Sequence, residues 1–86
     1  DGAIRNISCI NGTEIAVLFK ENPDNRVKVS LRSSGNIDVM AIANKFQGGG
    51  HILAAGVTLP GKMEEVIDKI IEACIEAIKE FEANNR

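Results

Sequence analysis

The sequence predicts a small α+β domain, and three observations lead to that class. Two runs rich in β-branched and aliphatic residues lie close together near the N-terminus. A long amphipathic pattern with helical spacing fills the C-terminal part. The 86 residues, 44% of them hydrophobic, suffice for one modest core. We therefore expect a small mixed β-sheet with a hairpin, a short helix, a glycine-rich loop and a long C-terminal amphipathic helix packed on the sheet.

The β-rich runs at residues 14–20 and 26–33 predict a hairpin, because turn-forming residues fill positions 21–25 between them. The second run alternates between two faces. Its apolar face holds Val27, Val29 and Leu31, and its polar face holds Arg26, Lys28, Ser30 and Arg32. The first run is apolar on both sides in its middle, which predicts a strand partly covered on both faces. Residues 1–10 are expected to be a linker or a first strand, with the strand pattern at 4–10.

A short helix and a long helix are predicted downstream. Asp38 is a favoured N-cap, and Ile37 and Ile42 are spaced as a hydrophobic staple around it. The short helix that begins there is expected to end before Gly48. A strand is expected at 57–59, ahead of a proline–glycine break. Eight apolar residues then follow helical spacing and predict a core-facing stripe on the long helix. They are Met63, Val66, Ile67, Ile70, Ile71, Cys74, Ile78 and Phe81.

The most informative segment is the glycine triplet Gly48, Gly49 and Gly50, followed by the chain's one histidine, His51. Consecutive glycines lose much backbone entropy on folding, so three in a row indicate a close approach to the backbone or several amides pointing the same way. We expect residues 51–55 to form a helical turn whose N-terminal amides favour a phosphate. His51 can donate a hydrogen bond to that phosphate and adds charge when protonated. The alternative is a flexible hinge with a surface histidine.

The net charge of −2 is unevenly distributed. Residues 62–82 carry seven acids against three lysines, whereas residues 26–51 carry four basic residues against one acid. The basic region can attract an anion while the whole chain stays acidic. Arg32 is a strong candidate within it, because a planar guanidinium matches two oxygens of a phosphate. The alternative is that both regions are solvated surfaces without a ligand.

Composition argues against several other classes of protein. With no run of 18 apolar residues and no secretory pattern, we expect no membrane partner and a cytoplasmic location. Cys9 and Cys74 fit two reduced structural thiols, not a disulfide framework or a zinc site. Phe19, Phe46 and Phe81 occupy apolar positions, so an aromatic platform for bases is not expected. One histidine cannot assemble a two-metal hydrolytic site, so we assign this chain no catalytic residue and no metal ligand.

Nearly the whole chain, from about Ile10 to the final helix, resembles a known domain. The string FQGGGHILAAGVTL, preceded by VKVSLRSSGNIDVMAIANKF, is similar to the C-terminal domain that accompanies the DHH phosphoesterase core. The order of hairpin, Arg-Ser, short helix, glycine triplet with histidine and long helix resembles most the oligoribonuclease and pAp-phosphatase branch (nanoRNase type, RecJ-like). The cyclic-dinucleotide phosphodiesterases are close to it.

This resemblance implies that residues 1–86 are a single substrate-binding domain of a longer two-domain protein. An N-terminal DHH domain of the same chain would carry the manganese ions and the hydrolysis, and this domain would hold short single-stranded RNA or DNA, or a pAp-like nucleotide. Carried over by position, the residues expected to bind substrate phosphate are Arg32, Ser33, Gly48, Gly49, Gly50 and His51. Lys28 and Arg26 share the strand face of Arg32 and are further candidates. No cofactor is expected in this chain itself.

Three functions of different classes stay open at this stage. The first is the phosphate-binding half of a manganese-dependent phosphoesterase that acts on short oligonucleotides, pAp or a cyclic dinucleotide. The second is a free-standing nucleic-acid-binding module, which the acidic net charge disfavours. The third is a structural or oligomerisation domain whose glycine loop is only a tight turn.

Overall fold

A computed structural model describes residues 2–9 and 15–84, so Ile10 and Glu14 of the predicted strands lie outside the described residues. The elements are β1 (Ile4–Cys9), β2 (Ile15–Asn22), β3 (Arg26–Ser33), α1 (Val39–Asn44), β4 (Gly49–Gly50), β5 (Ala54–Pro60) and α2 (Met63–Asn84). The strands form one sheet in the order β1-β2-β3-β5-β4. The α+β class is confirmed, and all four strand pairings described are antiparallel where a mixed sheet was expected.

The sheet has one face covered by helices and one face open. On the covered face Val17, Phe19, Val29 and Leu31 are fully buried, and they share a core with the apolar sides of α1 and α2. The residues between them point the other way and form what we call the open face. The open face consists of Ile4, Asn6 and Ser8 of β1, Ala16, Leu18, Lys20 and Asn22 of β2, Arg26, Lys28, Ser30 and Arg32 of β3, Ala54, Gly56, Thr58 and Pro60 of β5, and Gly49 of β4.

Strand β2 departs from its sequence prediction in one respect. Its mixed apolar middle suggested cover on both faces, yet Leu18 on the open face is 39% exposed. The helices pack on one side of the sheet only, so every second residue of β2 stays in contact with solvent. Cover on both sides is typical of parallel sheets, whereas an antiparallel sheet commonly leaves one face in water.

Hydrogen bonds define both ends of helix α1, and the sequence predicted the N-terminal one. The side chain of Asp38 accepts a bond from the first helical turn at 3.1 Å, as expected of an N-cap. At the other end Gln47 adopts a left-handed conformation with φ of 69°. Gln47 N donates to Asn44 O at 3.2 Å and Gly48 N donates to Ala43 O at 2.9 Å, a Schellman closure. This closure directs the chain from α1 into β4.

Helix α2 packs its predicted stripe against the covered face. Met63, Val66, Ile70 and Cys74 are buried, and the acids of the helix lie on its solvent side. Phe19 is fully buried, while the other two phenylalanines are half-buried against the same core. In the described part of the chain, no helix has the length and apolar character needed to cross a membrane.

Candidate functional site

The glycine–histidine segment folds as a β-hairpin, and the expected helical turn at 51–55 is wrong. His51 N donates to Ala54 O at 2.8 Å, and Ala54 N donates to His51 O at 3.2 Å. Ile52 and Leu53 therefore form a two-residue tip between β4 and β5. The local sequence can form a helix, but β5 pairs along its length with β3 and is held extended. Tertiary pairing thus overrides the local preference.

The tip of this hairpin is anchored to two other elements. Ser33 N donates to Leu53 O at 3.0 Å, which ties the tip to the end of β3. Val39 N donates to Ile52 O at 2.9 Å, which satisfies a backbone donor in the first turn of α1. Together with the two bonds between His51 and Ala54, these contacts hold the segment in place, so they argue against a flexible hinge.

Most amides of the segment are committed to the fold. Gly48 N donates to Ala43 O, and His51 N donates to Ala54 O. Because His51 and Ala54 exchange both bonds, the adjacent pair of Gly50 and Ala55 is non-hydrogen-bonded by antiparallel alternation. The Gly50 N–H then faces the outer edge of β4. The predicted row of amides aimed at one anion therefore does not form. Within residues 48–51, it is the Gly50 amide that faces outward.

The three glycines meet different surroundings. A Cβ on Gly48 would overlap the carbonyl oxygen of Gly56, and a Cβ on Gly50 would lie 2.6 Å from Ala54 O at a φ of +141°. Close approach of β5 therefore explains both glycines. A Cβ on Gly49 would meet nothing within 4 Å, and no left-handed φ requires glycine there. The fold does not account for Gly49, which leaves the backbone bare opposite Gly56.

Arg32 and His51 lie in one row across the open face. Ala54 is the cross-strand partner of Arg32 and the hydrogen-bonded partner of His51, and paired residues point to the same face. Since neighbouring strands lie about 4.8 Å apart, the two Cα atoms are about 10 Å apart with only the Ala54 methyl between them. Both side chains are exposed. An anion above Ala54 would be within reach of a guanidinium on one side and an imidazole on the other.

Ser33 lies on the opposite side of the sheet from Arg32. Its cross-strand partner is the buried Ile15, and its Oγ accepts bonds from Gly35 N at 3.1 Å and Ile37 N at 3.4 Å. The hydroxyl oxygen therefore stabilises the turn that follows β3. The structure does not bring Ser33 into the row of Arg32 and His51, and its contact with a phosphate stays a prediction.

The open face carries one basic residue that the sequence analysis missed. Lys20 of β2 lies directly opposite Lys28 of β3. The predicted turn at 21–25 would place Lys20 opposite Arg26, on this same face. The strands instead pair outward from Asn22 and Arg26, which sets Lys20 opposite Lys28. Arg26 lies on the same face, with its Nε 3.7 Å from an Asp24 oxygen. Within the described residues, no carboxylate forms an ion pair with Lys20, Lys28 or Arg32.

Comparison with known proteins shows which family this chain matches. The model of the DHHA1 domain matches residues 1–80. The bifunctional oligoribonuclease and PAP phosphatase NrnA of Thermus thermophilus is 36% identical over 73 residues, which cover 84% of this chain and 22% of that protein. The protein of the same name from Mycoplasma genitalium is 35% identical over 72 residues, with the same two coverages. The chain thus spans about a fifth of the length of these curated relatives.

Proposed function

This chain belongs to the DHHA1 domain family, as its motifs predicted, and we propose that it holds the phosphate of a nucleotide or short oligonucleotide for a separate hydrolytic domain. The observation that carries the proposal is the row of Arg32, Ala54 and His51 on the open face. Two donors lie there on either side of a methyl group, on a sheet face without a described acidic side chain.

Each member of the site has a distinct part in binding. Arg32 donates two parallel hydrogen bonds to phosphate oxygens, a geometry that a lysine cannot supply. His51 donates from the other side, and the bare backbone at Gly49 lets the ligand settle close to the sheet. Contacts of this kind go to phosphate and carry no base information. They suit a ligand whose sequence varies.

The hydrolysis itself belongs, in this proposal, to a DHH domain in the same longer protein. The relatives are named as an oligoribonuclease and PAP phosphatase, and this chain corresponds to a minor part of their length. In this proposal manganese is held by that DHH domain, as the resemblance to DHH phosphoesterases implies. No step of phosphate binding by this chain uses a metal ion.

Replacing Arg32 tests the proposal directly. We expect Arg32→Ala to weaken binding of pAp and of a 5′-phosphorylated dinucleotide by about 10- to 100-fold, the range for loss of charge-assisted hydrogen bonds. His51→Ala should weaken it by about 2- to 10-fold. Amide chemical-shift titrations of the 15N-labelled chain measure both affinities. Thermal melts should show unfolding free energies within about 0.5 kcal/mol of the original, since both side chains are exposed.

The matched control is Arg5→Ala, which removes an exposed arginine from the register position opposite Phe19, on the covered face. Its affinities should be unchanged. If Arg5→Ala weakens binding as much as Arg32→Ala does, the effect is general electrostatics and the assigned site is wrong. If Arg32→Ala and His51→Ala are both silent, the open face has a structural or oligomerisation role instead.

A further inference from the structure

We propose that the open face extends the site to a second phosphate position, formed by Lys20 and Lys28, so that the domain binds a single-stranded oligonucleotide longer than a dinucleotide. The inference rests on the proposed function and adds to it a second contact position for the same ligand. It follows from the register of β2 on β3, from the charge on the two sides of the domain and from the spacing along β3.

Lys20 and Lys28 form a pair that folding alone does not favour. They are direct cross-strand partners, so their Cα atoms are about 5 Å apart and their side chains leave the same face. Like charges directly opposite each other destabilise a sheet. Both side chains are exposed, and no carboxylate within residues 2–9 and 15–84 pairs with either. A phosphate bound between the two ammonium groups would remove this repulsion.

Charge is segregated between the two sides of the domain. The described strands place Lys20, Arg26, Lys28 and Arg32 on the open face and no acid with them. The acids of α2 lie in the helix layer, on the other side of the sheet. A polyanion is therefore drawn to the open face and repelled by the opposite side. The ion pair of Arg26 with Asp24 partly neutralises the end of the open face that lies beyond Lys28.

The spacing along β3 sets the length of ligand that reaches both positions. Lys28 and Arg32 are four residues apart, which is about 13 Å along a strand. A stacked strand advances about 3.4 Å per nucleotide, so this distance corresponds to about four stacked nucleotides, and to fewer in an extended strand. Between the two positions lies an uncharged row of Leu18, Ser30 and Gly56. Leu18, 39% exposed, offers an apolar surface to a ribose or base there.

The test compares ligands of different length on four forms of the chain: the unchanged protein, two double-lysine variants and Arg32→Ala. The probes are pAp, a 5′-phosphorylated dinucleotide and hexaadenylate, titrated into the 15N-labelled protein. The double variant Lys20→Ala/Lys28→Ala should weaken hexaadenylate by about tenfold at 0.1 M salt and reduce the salt slope by about 0.7, the value for one phosphate contact on a single strand. Its affinity for pAp and for the dinucleotide should stay within about twofold. The control Lys69→Ala/Lys79→Ala removes two exposed charges from α2 and should change no affinity.

Several outcomes would overturn the inference. Hexaadenylate binding that is no tighter than dinucleotide binding, or no weaker in the Lys20→Ala/Lys28→Ala variant, removes the second position. An equal loss for hexaglutamate would show that the lysines attract any polyanion, including an acidic protein surface. Arg32→Ala separates this failure from failure of the proposed function. If Arg32→Ala weakens all three nucleotides while the lysine variant weakens none, only the second position is wrong, whereas a silent Arg32→Ala removes the site itself.

Discussion

The two faces of the sheet are built from the same strands and follow different rules. On the covered face Val17, Phe19, Val29 and Leu31 are fully buried and share one core with both helices. On the open face the same strands present basic and small residues to solvent. Alternation along each strand separates the two sets completely, since neighbouring residues point to opposite faces.

Packing of the core explains the residues of the covered face but not those of the open face. Burial of apolar area is a sufficient reason for the residues of the covered face. On the open face, three features lack such a reason: an arginine with no described ion-pair partner, two lysines opposite each other, and Gly49 in open space. These are features that a bound anion would account for. Function is therefore better sought on the open face than in the core.

The sharpest contrast between the faces is expected at two adjacent residues of β2. Phe19→Ala should lower the free energy of unfolding by about 3–5 kcal/mol, because it removes a fully buried ring and leaves a cavity. Leu18→Ala, one residue away on the open face, should cost less than about 1 kcal/mol, since its side chain is already partly solvated. Urea denaturation of both variants measures the difference. Phe19→Leu keeps most of the volume and should cost less than Phe19→Ala.

The contrast would fail if Leu18→Ala were as destabilising as Phe19→Ala. The open face would then be packed in solution, for instance in an oligomer of this chain. Sedimentation of the unchanged protein at the same concentration would reveal such an assembly.

The glycine triplet should divide in the same way. Gly48→Ala places a Cβ against the backbone of β5 and should cost about 1–3 kcal/mol of stability, as overpacking usually does. Gly49→Ala points a methyl into open space and should change stability by less than about 0.5 kcal/mol. If a ligand lies over this backbone, Gly49→Ala weakens pAp binding while Gly48→Ala acts through unfolding. Melting curves and titrations on the same samples separate the two, and unchanged affinity in Gly49→Ala would leave this glycine without a role in binding.

The sequence predicted the covered face well, because its signals are local and periodic. The stripe of α2, the Asp38 N-cap and the alternation of β3 each depend on residues within a few positions of one another. The glycine–histidine hairpin could not be predicted in the same way, since its conformation is decided by pairing with a strand that lies far away in the sequence. The row of Arg32 and His51 likewise depends on Ala54, through two strand registers at once.

A small effect is also expected at the lysine pair, and it is a gain in stability. Lys28→Glu replaces a like-charged cross-strand pair with an opposite-charged pair, so it should raise the free energy of unfolding by about 0.2–1 kcal/mol. The gain should shrink in 1 M salt, where exposed charges are screened within about 3 Å. Lys79→Glu makes the same substitution on the acidic α2 and should give no gain. Urea midpoints at low and high salt measure both variants. If Lys28→Glu is more stable and binds hexaadenylate more weakly, the open face has lower stability in exchange for binding. If Lys28→Glu gives no gain in stability, the two lysine side chains already avoid each other. Their repulsion is then no evidence for a ligand.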